Sequence, residues 1–203
     1  MEIISYIEDS FQEYEGRQSL VIFSRGCNLA CQGCYNKKAV LGDKIIGRAK
    51  DIIDTHLSPM HEAVVFLGGE PTIWGKRLIE SLRYVKDKGL ETKIYSNGLN
   101  DTLIKKINKL NLADAWSIDF KCKYKCREIL GKIIDDDLYV ELVSQSLDDI
   151  VKHNIDVEVR TTLWDKVIPQ RDEIEKYIKE RYGIRHIFQE DFLKKNENIN
   201  LRK

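Results

Sequence analysis

At 203 residues the chain is long enough to bury a sizeable core within one domain of ordinary size. Apolar residues make up 42% and charged residues 33%, which excludes a disordered chain, and Lys+Arg and Asp+Glu each total 33, so no net charge points to nucleic acid or an anionic membrane. No apolar run reaches bilayer length, Met1-Glu2-Ile3-Ile4 lacks the basic start and apolar core of a signal peptide, and five cysteines, an odd count with three in one stretch, argue against a disulfide framework; a reducing, cytoplasmic setting is the expectation.

Residues 1–18 mix polar and aromatic side chains without a period and predict a lead-in with a turn at Gly16. Ser19–Ser24 reads as the first core strand, and a cysteine-rich loop follows it. Ile45, Ala49, Ile52, Ile53 and Leu57 recur at helical spacing, so a helix is expected over 44–57, stopped by Ser58-Pro59. Ala63–Leu67 predicts a second strand ending at Gly68-Gly69, followed by a helix over 75–88 with Leu78, Leu82 and Val85 on one face and Gly89 at its end. Thr92–Ser96 is a third strand. Asn100 or Asp101 then caps a helix that turns Leu103, Ile104, Ile107 and Leu110 inward. Ala115–Phe120 is a fourth strand, and the lysine-rich stretch over 121–137 is expected to be irregular. Val140, Val143, Leu147, Ile150 and Val151 mark a helix leading to a fifth strand, Asp156–Thr162. A last helix carries Ile174, Tyr177 and Ile178, closes at Gly183 and feeds a sixth strand, Arg185–Gln189.

Six strands alternating with five helices predict a parallel sheet of βαβ units, without a repeat, a low-complexity segment or a dividing linker. Right-handed crossovers let such a sheet lie open or curl toward a barrel, and composition does not choose between them. In either form ligands gather at the C-terminal strand ends. The cysteine loop, Gly68-Gly69-Glu70-Pro71, Ser96-Asn97-Gly98, Asp119 with Lys121, and Arg160 all fall there.

Cys27, Cys31 and Cys34 are spaced so that three thiolates can converge on one small object. Sulfur-only sites favour zinc or an iron–sulfur cluster. No fourth cysteine continues the spacing, and three thiolates on a four-iron cluster leave one iron open for chemistry. A zinc knuckle completed by Cys122, Cys126 or a histidine is the alternative. Against it, Val21-Ile22-Phe23 runs as a buried strand straight into the motif. Paired glycines at 68 and 69 allow close approach to the backbone, and Glu70 places a carboxylate beside them. In isolation, Gly-Gly-Glu reads as a tight turn, Asn97 as a turn residue, Asp119 with Lys121 as an edge ion pair, and His186 as a packed strand residue.

Cys27, Cys31 and Cys34 with Tyr35 immediately after, together with Gly68-Gly69-Glu70-Pro71, resemble the signature of the radical S-adenosylmethionine enzymes. The resemblance runs from about Ser10 to the strand near His186. It implies an α/β fold, a partial (β/α)6 barrel of parallel strands with an open mouth. It divides residues 1–203, a single domain, into a lead-in over 1–18, the partial barrel over 19–191 and a polar tail over 192–203. It further implies a [4Fe–4S] cluster held by Cys27, Cys31 and Cys34, with S-adenosyl-L-methionine on the fourth iron. Tyr35, Gly68, Gly69, Glu70, Asn97, Asp119, Lys121 and Arg160 are the residues it places about that cofactor. Gly68, Gly69 and Glu70 would meet the amino group, and a cation, Lys121 or Arg160, the carboxylate; His186 would lie near the adenine. Some relatives carry an aspartate where this chain has Tyr95. Cys122 and Cys126 are too few for a second cluster and are expected as free thiols.

Tyr35-Asn36, the segment from Ser10 to Gly16, Asp119-Phe120-Lys121 and Arg160-Thr161-Thr162 resemble the activating proteins of anaerobic ribonucleoside-triphosphate reductases. This implies reductive cleavage of S-adenosylmethionine and formation of a glycyl radical on a large partner reductase. A low-potential electron donor of flavodoxin or ferredoxin type would be the other partner. The alternatives are a small-molecule enzyme similar to 7-carboxy-7-deazaguanine synthase and a non-catalytic zinc module.

Overall fold

The computed structural model describes residues 1–34, 36, 37, 42 and 44–189; Tyr35 and the expected tail over 192–203 lie outside them. One sheet contains β1 (Glu2–Ser10), β2 (Ser19–Ser24), β3 (Gly47–Arg48), β4 (Ala63–Gly68), β5 (Glu91–Ser96), β6 (Ala115–Asp119), β7 (Asp156–Thr162) and β8 (Arg185–Gln189). Its order is β3-β1-β2-β4-β5-β6-β7-β8. From β2 to β8 the six long strands run parallel, with β1 antiparallel to β2 and β3 antiparallel to β1. Among the described residues β8 pairs only with β7, so the sheet is an unclosed barrel, as expected. Over residues 44–189 the helices are α1 (Ala49–His56), α2 (Lys76–Asp87), α3 (Asp101–Lys109), α4 (Cys126–Leu130), α5 (Asp136–Lys152) and α6 (Arg171–Tyr182).

β2 and β4 are covered on both faces, which is why they read as continuous apolar runs. Leu20, Ile22, Val64, Phe66, Ile94, Trp116 and Ile118 belong to the main core with the helices, whereas Val21, Val65 and Leu67 pack inside the curve with Tyr14, Phe23 and Tyr95. Trp116 Nε1 donates to Asn108 Oδ1 at 2.9 Å, and Asn108 Nδ2 to Asp149 at 2.8 Å, whereas the Ser24 and Ser117 hydroxyls are buried without a partner among the described residues.

Three expectations change. The lead-in contains β1, whose side-chain alternation is broken by register shifts between Ile3 and Ser5 and between Ile7 and Ser10. Ile3 is therefore fully buried while Ile7 is exposed, and no period survives in the sequence. The first helix begins at Ala49, not near Lys44, because Gly47 and Arg48 pair with β1, and Ile45 and Ile46 are exposed. The stretch over 121–137 is more ordered than its composition implies. Asp136 accepts the Lys125 and Cys126 N–H groups at 2.8 and 2.7 Å, and the buried Gln170 accepts those of Lys123 and Tyr124 at 2.7 and 3.0 Å, which fixes α4.

The segment over 11–18 crosses the inside of the curve. Arg17 grips the Glu91 carboxylate with two hydrogen bonds of 3.1 and 3.0 Å, Tyr14 packs with the inner apolar cluster, and Glu15 pairs with Arg185 on β8. Beside Tyr14 lies the ion pair of Lys93 and Glu158, 3.2 Å apart.

Candidate active site

A cavity of about 520 Å³ lies at the C-terminal ends of the parallel strands. Its wall brings together Cys27, Cys31 and Cys34, the turn over 68–70, Asn97, Asp119, Lys121 and Arg160. Of the residues singled out from the sequence for the cofactor, only Tyr35 lies outside the description. His186 is on the other face of the sheet: Arg160 and Thr162 line the cavity, and Thr161, which turns the opposite way, bonds His186 Nε2 at 2.9 Å.

The cysteine loop is held from two sides. From β4, Gly69 N–H donates to Ser24 O at 2.9 Å and Glu70 N–H to Gly26 O at 2.8 Å. From α4, Leu130 O accepts Ala30 N–H at 2.9 Å and Ile129 O accepts Gln32 N–H at 3.2 Å. This gives the paired glycines a reason the sequence did not show. A Cβ on Gly69 would stand 1.8 Å from Gly26 O, and one on Gly68, whose φ is +121°, would stand 2.3 Å from Ser24 N. What approaches these glycines is the backbone of β2 and its loop.

Glu70 is 1% exposed and bonded within the protein. Its Oε1 accepts from Thr72 N, Thr72 Oγ1 and Ser96 Oγ at 3.0, 2.7 and 2.9 Å, and Oε2 from Asn97 N at 2.7 Å. Burial pushes its carboxyl up, against the pull of those donors. Asn97 continues the chain of contacts, donating through Nδ2 to Asn28 Oδ1 at 2.7 Å. Thus the ends of β4 and β5 and the cysteine loop form one hydrogen-bonded unit.

Lys121 pairs with Asp119 at 2.8 Å, as strand alternation predicts. Burial pulls its ammonium down, but Asp119 and then the Cys31 thiol more than offset this and leave it above the ordinary lysine range. Burial pushes the Cys27 thiol up to about 11 with the Leu29 N–H opposing, and raises Cys31 with Lys121 opposing. Lys121 is therefore the cation of the cysteine end. Arg160 lies elsewhere on the wall: its guanidinium sits 5.1 Å from the Tyr95 ring centroid and 3.9 Å from Glu13 Oε2. Tyr95 donates its hydroxyl to Glu13 O at 2.9 Å.

Glu13 and Trp164 line the cavity, and Asn28 backs its wall through Asn97, without having been singled out. Glu13 lay within a segment flagged by resemblance alone, and Asn28 inside the cysteine motif. Nothing in the sequence marks Trp164, which reaches the site by contact with Gly33.

A family model described as the radical SAM superfamily matches residues 21–167, well over half of the chain. The chain belongs to the radical SAM superfamily. It is 34% identical over 188 residues to a Methanocaldococcus jannaschii protein provisionally named a glycyl-radical enzyme activating enzyme, covering 88% of this chain and 76% of that one. To the 7-carboxy-7-deazaguanine synthase of the same organism it is 29% identical over 168 residues, covering 72% and 63%. Among solved structures, anSMEcpe with bound AdoMet and Kp18Cys peptide has a TM-score of 0.59 at 19% identity, over 85% of this chain and 51% of that one. QueE from Escherichia coli has a TM-score of 0.50 at 15% identity, over 93% of both chains. The chain thus spans about half the length of anSMEcpe and under two thirds of the synthase.

Radical SAM membership implies a [4Fe–4S] cluster and S-adenosylmethionine (AdoMet), and the donor set fits them. All three loop cysteines are free thiols on the cavity wall, whereas Cys122 and Cys126, also free, are buried in the main core. Among the described residues no three His, Cys, Asp or Glu side chains are gathered so as to hold a single metal ion. Arg160 Nε is buried on that wall with no partner among them, a donor suited to a bound anion or carbonyl. No described helix is long and apolar enough to cross a membrane.

Proposed function

We propose that this protein is an activase that installs a glycyl radical on a partner anaerobic ribonucleotide reductase. What carries the reading is the relative of 34% identity named for glycyl-radical enzyme activation, together with a cavity into which the cysteine loop, Asp119-x-Lys121 and Arg160 all converge. Cys27, Cys31 and Cys34 would hold the cluster through three irons. Gly68, Gly69, Glu70 and Asn97 shape the wall where the methionine end of AdoMet would lie, Tyr35 follows the third cysteine, and Asp119 orients Lys121 toward the methionine carboxylate. When bound, cluster and cofactor supply reductive one-electron cleavage of the sulfonium and the power to abstract hydrogen. The electron comes from a low-potential donor of flavodoxin or ferredoxin type. The hydrogen atom would come from the glycine Cα of the partner, leaving the unpaired electron on the glycine, with methionine and 5′-deoxyadenosine as the products of the cofactor. Phe23, Leu67 and Tyr95 give the wall an apolar stretch.

Anaerobic reconstitution tests this. Four irons and four sulfides per chain, and a glycyl doublet in the electron paramagnetic resonance spectrum of a reductase incubated with protein, AdoMet and reductant, are expected. Cys31→Ala should lose both. A reconstituted protein that cleaves AdoMet but leaves every candidate reductase without a doublet would overturn the reading. The second reading, a small-molecule enzyme of the 7-carboxy-7-deazaguanine synthase kind, rests on the relative of 29% identity. Turnover of a pterin without a protein partner would favour it.

A further inference from the structure

The cavity has two polar ends. At one, the cysteines, Asp119 and Lys121 share a field. At the other, Arg160 and Glu13 face each other above Tyr95 and leave capacity unused. Their closest atoms, Nη1 and Oε2, are 3.9 Å apart, too far for a hydrogen bond. Arg160 Nε is buried without a partner among the described residues. Glu13 reaches this place because its own carbonyl takes the Tyr95 hydroxyl, while its carboxylate faces the same hydroxyl with acceptor capacity to spare.

A cation and an anion that lie side by side without closing on each other present a donor next to an acceptor. Their complement is an N–H beside a C=O on one edge of a ligand. In an extended peptide the N–H and C=O of a single residue point to the same side, and a heterocyclic lactam offers the same edge. We infer that Glu13 and Arg160 form a substrate subsite that reads such an edge, with Glu13 accepting the N–H and Arg160 donating to the carbonyl. Resting on the activase reading, the ligand is the backbone of the glycine that becomes the radical. Fixing both polar atoms of that residue would present its Cα to the cavity and leave neighbouring residues outside.

The test pairs a protein variant with a ligand variant. The reconstituted protein with AdoMet, kept oxidised so that nothing turns over, is titrated with a blocked peptide spanning the radical glycine of an anaerobic ribonucleotide reductase. A second titration uses the same peptide with that glycine N-methylated. Methylation should weaken binding to the wild type about tenfold or more. Glu13→Ala, which keeps the backbone carbonyl that holds Tyr95, should weaken the unmodified peptide by a similar factor and make methylation cost nothing further. A methylation penalty that is the same in both proteins overturns the subsite. A pterin titrated in parallel separates the two levels of the reading. If the wild type binds the pterin but no peptide, and Glu13→Ala loses it, the subsite stands and the activase reading falls. Binding of either ligand that ignores Glu13, or of neither, removes the subsite.

Discussion

Glu70 shows how a motif residue can serve the structure around a site. Four protein donors converge on its carboxylate, so it joins β4, β5 and the turn between β4 and α2 before any ligand arrives. Glu70→Gln replaces one acceptor by an amide donor, and whichever way the amide turns it meets an N–H or a hydroxyl. A loss of about 1–3 kcal/mol is expected, read as a lower denaturation midpoint in urea. AdoMet affinity alone would misjudge this residue, because its removal loosens the wall on which Asn97 and Asn28 depend. The sequence pointed to Glu70 through its neighbours, Gly68 and Gly69. It could not show that the glycines serve a backbone crossing, because Gly26 lies over forty residues away in the chain.

Among the elements, the parallel strands were the most legible. Ser19–Ser24, Asp156–Thr162 and Arg185–Gln189 have the same bounds in sequence and structure. β1 was not legible because its bulges destroy the alternation that marks a strand. α4 escaped for another reason: its order is supplied from outside by Asp136 and Gln170. That dependence is testable. Asp136→Ala leaves the Lys125 and Cys126 N–H groups without their acceptor and should cost about 1 kcal/mol. Because Ile129 and Leu130 hold the cysteine loop, amide hydrogen exchange at Ala30 and Gln32 should accelerate more than in the central strands. Unchanged exchange there would separate α4 from the loop.

For the molecule as a whole, an unclosed barrel leaves polar groups facing an interior that must be filled by the chain itself. Lys93 and Glu158 do part of this, with side chains 7% and 12% exposed. Lys93→Met strands a carboxylate there and should cost about 3–5 kcal/mol, measured by urea unfolding, while adding Glu158→Leu should return most of it. The Arg17–Glu91 contact predicts a pH effect of definite sign. Arg17 holds the Glu91 carboxyl below its ordinary value of 4.5, so its contribution is present above that pH and is lost as acid titrates the folded group. Arg17→Gln should therefore show a shallower fall in melting temperature below pH 4.5 than the wild type. The pairing of residues so distant in the chain is also what the sequence could not reveal about the site, since Glu13 and Trp164 acquire meaning only beside Arg160 and Gly33. One such pairing reaches further. Glu15 meets Arg185 across 170 residues, so the segment over 11–18 is tied to the far edge of the sheet at β8. A chain truncated before β8 would therefore leave the segment over 11–18 without one of its anchors across the curve.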